Sequence, residues 1–158
     1  MSIEKPFIKW VGGKTQIIDN ILNKIPNVIH NYHEPFLGGG SVLLAILSKK
    51  KIKGNTFAYD INPFLINVYK HIQKNKDVLF KKIIFYKTEF ESCLDERGTK
   101  KPTCLQEALT CRESYYYWLR QKYNYFCHKL DKTPDEDIII SALFIILNKT
   151  SFRGVYRE

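Results

Sequence analysis

The sequence predicts an α/β fold, the start of a doubly wound sheet, that gives way to a helical part near residue 89. Two observations carry this. A segment ending at Glu34, a glycine turn, a helix from Ser41, a strand at Thr56–Tyr59 and a helix from Pro63 follow one another, the alternation of a strand–helix–strand unit. From about Phe90 the strand signals stop, and a polar loop and two helical stretches follow. We therefore expect two parts, residues 1–88 and residues 89–158.

Taken in order, Phe7 to Val11 reads as a short apolar or extended segment broken by Gly12-Gly13. Ile17, Ile18, Ile21, Leu22 and Ile25 recur at helical spacing, and Pro26 marks the stop. From Ser41, the residues Val42, Leu43, Ile46 and Leu47 predict a helix that ends in Lys49-Lys50-Lys51. Gly54-Asn55 is a turn, and the strand from Thr56 ends at Asp60. Asn62 is placed as N-cap and Pro63 at the first helical position, with Phe64, Leu65, Val68 and Ile72 on one face. Asp95 to Thr103 is polar, carries Gly98 and Pro102, and reads as a loop. Tyr115 to Leu130 is an aromatic-rich helix. Thr133-Pro134-Asp135-Glu136 is a capping box with proline at the first helical position, opening a helix to about Leu147. Thr150 to Glu158 reads as a loop or hairpin arm.

Composition narrows the function classes. With 44% hydrophobic and 26% charged residues, the 158-residue chain is an ordinary globular one and not a disordered one. Its net charge of +9 points to a polyanionic partner, nucleic acid first and an anionic membrane second. The excess is uneven: residues 1–86 carry 13 basic and 5 acidic groups, residues 87–158 carry 12 and 11. The longest apolar run, Ala142 to Leu147, is six residues, far short of the ~20 that a membrane span needs. The N-terminus has no apolar stretch of the kind a secretory signal carries. Cys93, Cys104, Cys111 and Cys127 form no Cys-x-x-Cys pair, which argues against a zinc ribbon or other metal site. Reduced thiols and an intracellular location are the expectation.

Three constellations can carry chemistry. In Glu34-Pro35-Phe36-Leu37-Gly38-Gly39-Gly40-Ser41 the glycines let a ligand approach the backbone, and the following helix N-terminus offers unpaired N–H groups. Asp60 comes at the end of the next strand, about where an α/β nucleotide site sets a carboxylate on ribose hydroxyls. A dinucleotide fingerprint would need glycine at 43, where Leu43 stands, so a smaller adenosine cofactor fits better. A glycine-rich turn beside a solvated aspartate would read the same way.

The second is Lys9-Trp10-Val11-Gly12-Gly13-Lys14-Thr15, which resembles the end of a P-loop but has Ile8 where that loop needs glycine. Trp10 and Lys14 can instead wall a pocket, the indole on an apolar group and the ammonium on a carboxylate. A surface turn beside a core tryptophan is the plainer reading. The third runs from Leu147 to Arg157 and interleaves Lys149, Arg153 and Arg157 with Phe152 and Tyr156. Such an arm can meet phosphates with its bases and set an aromatic against base pairs, or it can be an ordinary terminal arm.

Taken together and in this order, these stretches resemble the Dam-like, D12-class DNA adenine-N6 methyltransferases. Phe7–Lys14 is similar to the family's N-terminal cofactor motif, Glu34–Val42 to its glycine-rich motif, Ala58–Asn62 to its acidic strand end, and Leu147–Arg157 to the start of its DNA-recognition hairpin. The resemblance implies an incomplete Rossmann-like domain that binds S-adenosylmethionine, with a helical target-recognition insertion. It implies cofactor contacts at Trp10, Lys14, Glu34, Pro35, Phe36, Gly38, Gly39, Gly40, Ser41, Asp60 and Ile61. It implies double-stranded DNA as partner, met by Lys149, Phe152, Arg153, Val155 and Arg157, with the target adenine flipped out.

The departures are as informative. The family's catalytic Asp-Pro-Pro-Tyr tetrapeptide does not occur in this sequence, so no catalytic residue is assigned. Arg153 stands where the family commonly has asparagine and Lys149 where arginine is common, which leaves the recognised sequence open. The expectation is a site-specific adenine methyltransferase portion that is inactive alone and needs a C-terminal half carrying that tetrapeptide. One subunit of a split enzyme, with a second chain as partner, and a non-catalytic DNA-binding remnant are the alternatives. Intact cofactor motifs favour the enzyme.

Overall fold

The computed structural model describes residues 4–151, which form helices and two small two-stranded parallel sheets. They pack as two compact units that meet in sequence between Pro63 and Phe64. In the first, a turn closed by Gly13 N–H on the Trp10 carbonyl (3.1 Å) and a 3-10 turn at Thr15–Ile17 lead into α1 (Ile18–Lys24). Then come β1 (Val28–Ile29), β2 (Tyr32–Glu34), α2 (Ser41–Lys49), β3 (Lys51–Ile52) and β4 (Thr56–Ala58). β1 pairs with β3 and β2 with β4, both parallel, with α2 as the crossover that parallel pairing requires. Ile18 and Leu22 of α1 and Ala45 and Ile46 of α2 form the buried centre. Ile29, Tyr32 and Ile52 pack on it from the strands. On β2 and β4 the alternate residues His33 and Phe57 stack on each other, ring centroids 4.7 Å apart.

The strand pairing slips by one residue between the two pairs. Val28 faces Lys51, 23 residues on, whereas Tyr32 faces Thr56, 24 residues on. The extra residue is absorbed at Lys53–Asn55, where Asn31 Oδ1 accepts the Asn55 N–H at 2.9 Å and the His30 carbonyl accepts the Gly54 N–H at 2.7 Å. A Cβ at Gly54 would lie 2.2 Å from Asn31 Oδ1, so only glycine fits that turn as it stands.

The second unit holds α3 (Pro63–Lys74), α4 (Lys76–Glu91), α5 (Leu105–Ala108), α6 (Arg112–His128) and α7 (Pro134–Thr150). α7 packs against both α4 and α6 and is apolar nearly all round, with Ile140 to Ile146 buried, as a central helix must be. Its capping box forms as the sequence predicts: Thr133 Oγ1 accepts the Glu136 N–H (3.3 Å) and Glu136 Oε2 accepts the Thr133 N–H (2.8 Å). Lys82 of α4 reaches Asp135 in the first turn of α7 at 3.1 Å, an acid at the positive end of the helix dipole. Phe64 of α3 sits edge-on to Tyr123 of α6, centroids 5.9 Å apart.

Four local expectations change. Phe7–Val11 is not a strand; Ile8 is buried, but the chain turns at Trp10 and Gly12. α6 starts at Arg112, ahead of the aromatic run, because Cys111 Sγ caps it by accepting the Ser114 N–H. α7 runs on past Leu147 to Thr150, whose hydroxyl turns back to the Ile146 carbonyl at 2.8 Å. α4 has no counterpart in the sequence reading. By packing, α3 to α7 fall in one unit, where α4 lies on α7 and α3 meets α6.

Candidate functional site

β2 ends at Glu34 and β4 at Ala58, directly paired, so the loops that follow both strands open at the same end. Open α/β sheets bind their ligands there. The Tyr59 N–H donates to the Glu34 carbonyl and the Leu37 N–H to the Tyr59 carbonyl, each at 2.8 Å, tying the two loops together. Asp60 is then gripped by both: its Oδ2 accepts the Gly38 N–H at 2.8 Å and its Oδ1 the Asn62 N–H at 3.0 Å. The second contact is an Asx turn, for which Asp60-Ile61-Asn62-Pro63 is the local signal.

Gly38 and Gly40 adopt φ of +50° and +73°, a region L side chains rarely enter. Gly38 also lies against the Trp10 indole, since a Cβ there would sit 2.9 Å from Cδ1 and 3.3 Å from Nε1. Gly39 backs onto the Ile8 carbonyl. Among the described residues no side chain caps α2, whose first-turn N–H groups lie at the helix's positive end. The Lys14 N–H donates to Ser41 Oγ at 3.1 Å, and its ammonium donates to the Gly12 carbonyl at 2.7 Å. The N-terminal motif and the glycine-rich motif therefore meet in the first unit.

Glu34 is half-buried, and burial pushes its carboxyl above the usual carboxylate range. The Tyr32 hydroxyl donates to Glu34 Oε2 at 2.5 Å and opposes that shift, while burial, then Glu34 itself, drives the phenol upward. Among the described residues, Glu34 pairs with no basic side chain. Tyr32 has no place in the sequence reading, although its position two residues before Glu34 is the signal once a strand is recognised. Pro35 is exposed, and Phe36 and Ile61 stand 86% and 99% exposed beside the Gly38 and Asp60 pair.

Of the arm, Lys149 is exposed on the last turn of α7. Phe152, Arg153, Val155 and Arg157 lie outside the described residues. Among the described residues no His, Cys, Asp or Glu cluster could hold a metal ion, and no helix is long and apolar enough to cross a membrane.

Residues 10–158 match the model of the family described as D12 class N6 adenine-specific DNA methyltransferase. The chain belongs to that family. Among the relatives of this D12-class chain is the type II methyltransferase M.MjaIII of Methanocaldococcus jannaschii, 34% identical over 97% of the chain and 48% of the relative. The DNA adenine methylase of Haemophilus influenzae is 29% identical over 97% of the chain and 43% of its own length. That of Escherichia coli K12 is 26% identical over 99% and 45%. The D12-class chain thus spans somewhat under half the length of these relatives.

Proposed function

We propose that this chain is the cofactor-binding and target-recognising portion of an enzyme that methylates the N6 amino group of adenine at a specific site in duplex DNA. The observation that carries the reading is the Asp60 clamp, a carboxylate locked onto the glycine loop at the joined ends of two parallel strands. In this reading the first unit is the beginning of a Rossmann-like sheet, and the helical unit holds the target-recognition insertion.

The donor set fits S-adenosylmethionine. Both Asp60 oxygens keep a second lone pair for ribose hydroxyls, because the backbone donors use one each. Phe36 and Ile61 offer apolar surface to a purine. Trp10 and Gly38–Gly40 let the cofactor approach the main chain closely, with the positive end of α2 for a carboxylate and Glu34 for an ammonium. When bound, S-adenosylmethionine supplies an electrophilic methyl group. The residues of this chain bind and orient it, and the Lys14–Ser41 hydrogen bond holds the loop in shape.

Lys149 and Arg153 hold DNA phosphates, Phe152 fills space beside the extruded base, and Val155 and Arg157 read base edges. Positioning of the adenine amino group falls to an Asp-Pro-Pro-Tyr segment outside this sequence, in a continuing or a second chain. Reduced thiols and a DNA substrate imply an intracellular compartment.

The test is reconstitution. The purified chain is expected to transfer no methyl group to duplex DNA, and addition of a fragment carrying Asp-Pro-Pro-Tyr to restore transfer. Methylation by the chain alone would refute the assignment of the catalytic segment. A folded chain that binds no S-adenosylhomocysteine would refute the cofactor site.

A further inference from the structure

We propose that Tyr32 is a positioning residue that aims Glu34 at the amino-acid end of the cofactor. The inference rests on the cofactor site proposed above and adds a residue to it.

Tyr32 and Glu34 are two apart on β2 and so project from the same face of the strand. The Tyr32 ring packs on the α1 and α2 core, which fixes where its hydroxyl can be. That hydroxyl donates to Glu34 Oε2 at 2.5 Å, the length of a charge-assisted bond. One carboxylate oxygen is thereby tethered and the rotamer set. The other oxygen, Oε1, has no hydrogen-bond partner among the described residues. A half-buried carboxylate without a basic neighbour is poorly satisfied by the protein alone. A ligand ammonium would complete it. The sites at the two ends of the cofactor are then separate: Asp60 serves the nucleoside and the Tyr32–Glu34 pair serves the amino acid.

The experiment uses two ligands that share the nucleoside. S-adenosylhomocysteine carries the amino-acid end, and 5′-methylthioadenosine lacks it. Calorimetric titrations of the chain, of Tyr32→Phe and of Asp60→Ala separate the roles. Tyr32→Phe is expected to weaken S-adenosylhomocysteine about tenfold while leaving methylthioadenosine within about twofold, in line with loss of one hydrogen bond to a charged group. Asp60→Ala is expected to weaken both. Glu34→Gln, which keeps the side chain's shape, is expected to reproduce the selective loss, so the proposal stands or falls even if Tyr32→Phe folds poorly. Equal weakening of both ligands by Tyr32→Phe and Glu34→Gln, or none, overturns the role of Tyr32 and leaves the cofactor site intact. No binding of either ligand by the unaltered chain overturns both.

Discussion

Gly38 donates its backbone N–H to Asp60 Oδ2 at 2.8 Å, across 22 residues of sequence. One bond thus joins the glycine-rich loop after β2 to the acidic end of β4. The spacing of the two loops is set by a covalent chain that leaves and returns, and by a side chain that closes the gap. Asp60 is a structural clamp, and in the proposed function it is a ligand group as well.

Asp60→Ala is expected to act on both. It strands the Gly38 and Asn62 N–H groups, costing about 1–3 kcal/mol in the first unit. It also removes the proposed ribose acceptor, which is expected to weaken S-adenosylhomocysteine by about tenfold or more. Asp60→Asn keeps one acceptor oxygen and is expected to fall between. Urea unfolding followed through Trp10, in a Trp118→Phe background, together with calorimetry, reads the two effects separately. A stability loss with unchanged affinity would leave Asp60 a clamp only.

Gly38→Ala probes the loop itself. The new Cβ would sit 2.9 Å from Trp10 Cδ1 in a backbone with φ of +50°. The conformation alone costs on the order of 1–2 kcal/mol for an L residue, and the indole must also move. The expected readouts are a shifted Trp10 emission maximum and weaker nucleoside binding. An unchanged emission spectrum with full affinity would show that the loop tolerates a side chain and that Trp10 is not held against it.

The sequence made some of this legible and hid the rest for physical reasons. Thr133-Pro134-Asp135-Glu136 names its own structure, because capping is a contact within four residues. Asp60-Ile61-Asn62 is similarly local. The Tyr32–Glu34 bond needs β2 to be a strand, yet β2 is three residues long and carries no alternating pattern to announce it. α4 escaped because Val78, Leu79, Phe80, Ile83, Ile84, Phe85 and Tyr86 spread around the helix instead of marking one stripe; Leu79 and Tyr86 are buried, whereas Phe80 is 62% exposed. Cys111 is an uncommon N-cap, so the first turn of α6 carried no familiar start signal.

Acid sensitivity of the helical unit is expected to centre on Glu136. The Lys129 ammonium, 2.6 Å from Oε1, and then the Thr133 N–H hold its carboxyl below the ordinary carboxylate value. A depressed folded value means that stabilisation is complete above the unfolded pKa and is lost as pH falls through the folded one. Glu107, held down by Thr103, adds in the same sense. Thermal melts monitored at Trp118 are expected to show stability falling below about pH 4–5, the ordinary carboxylate range. Glu136→Gln is expected to lower stability at neutral pH and flatten that acid limb. An acid limb unchanged in Glu136→Gln would assign the sensitivity elsewhere.

In the proposed function, DNA recognition divides between general attraction and base reading, and the two respond differently to salt. The charge of +9 favours phosphates, and removing one phosphate-binding cation reduces the slope of log affinity against log salt by roughly one. Lys149, exposed on the last turn of α7, is such a cation in this reading. Lys149→Ala is therefore expected to weaken a preferred and a scrambled duplex alike and to flatten the salt slope. Arg157 has the fork geometry to pair with guanine O6 and N7, an interaction worth about 1–3 kcal/mol of discrimination. Arg157→Ala in the reconstituted enzyme is expected to weaken the preferred duplex by roughly ten- to a hundredfold and the scrambled one far less. Fluorescence anisotropy with both duplexes, at three or more salt concentrations, separates the outcomes. Equal weakening of both duplexes with a flattened slope would make Arg157 one more phosphate-binding side chain, and base reading would then rest on Val155 and the rest of the arm.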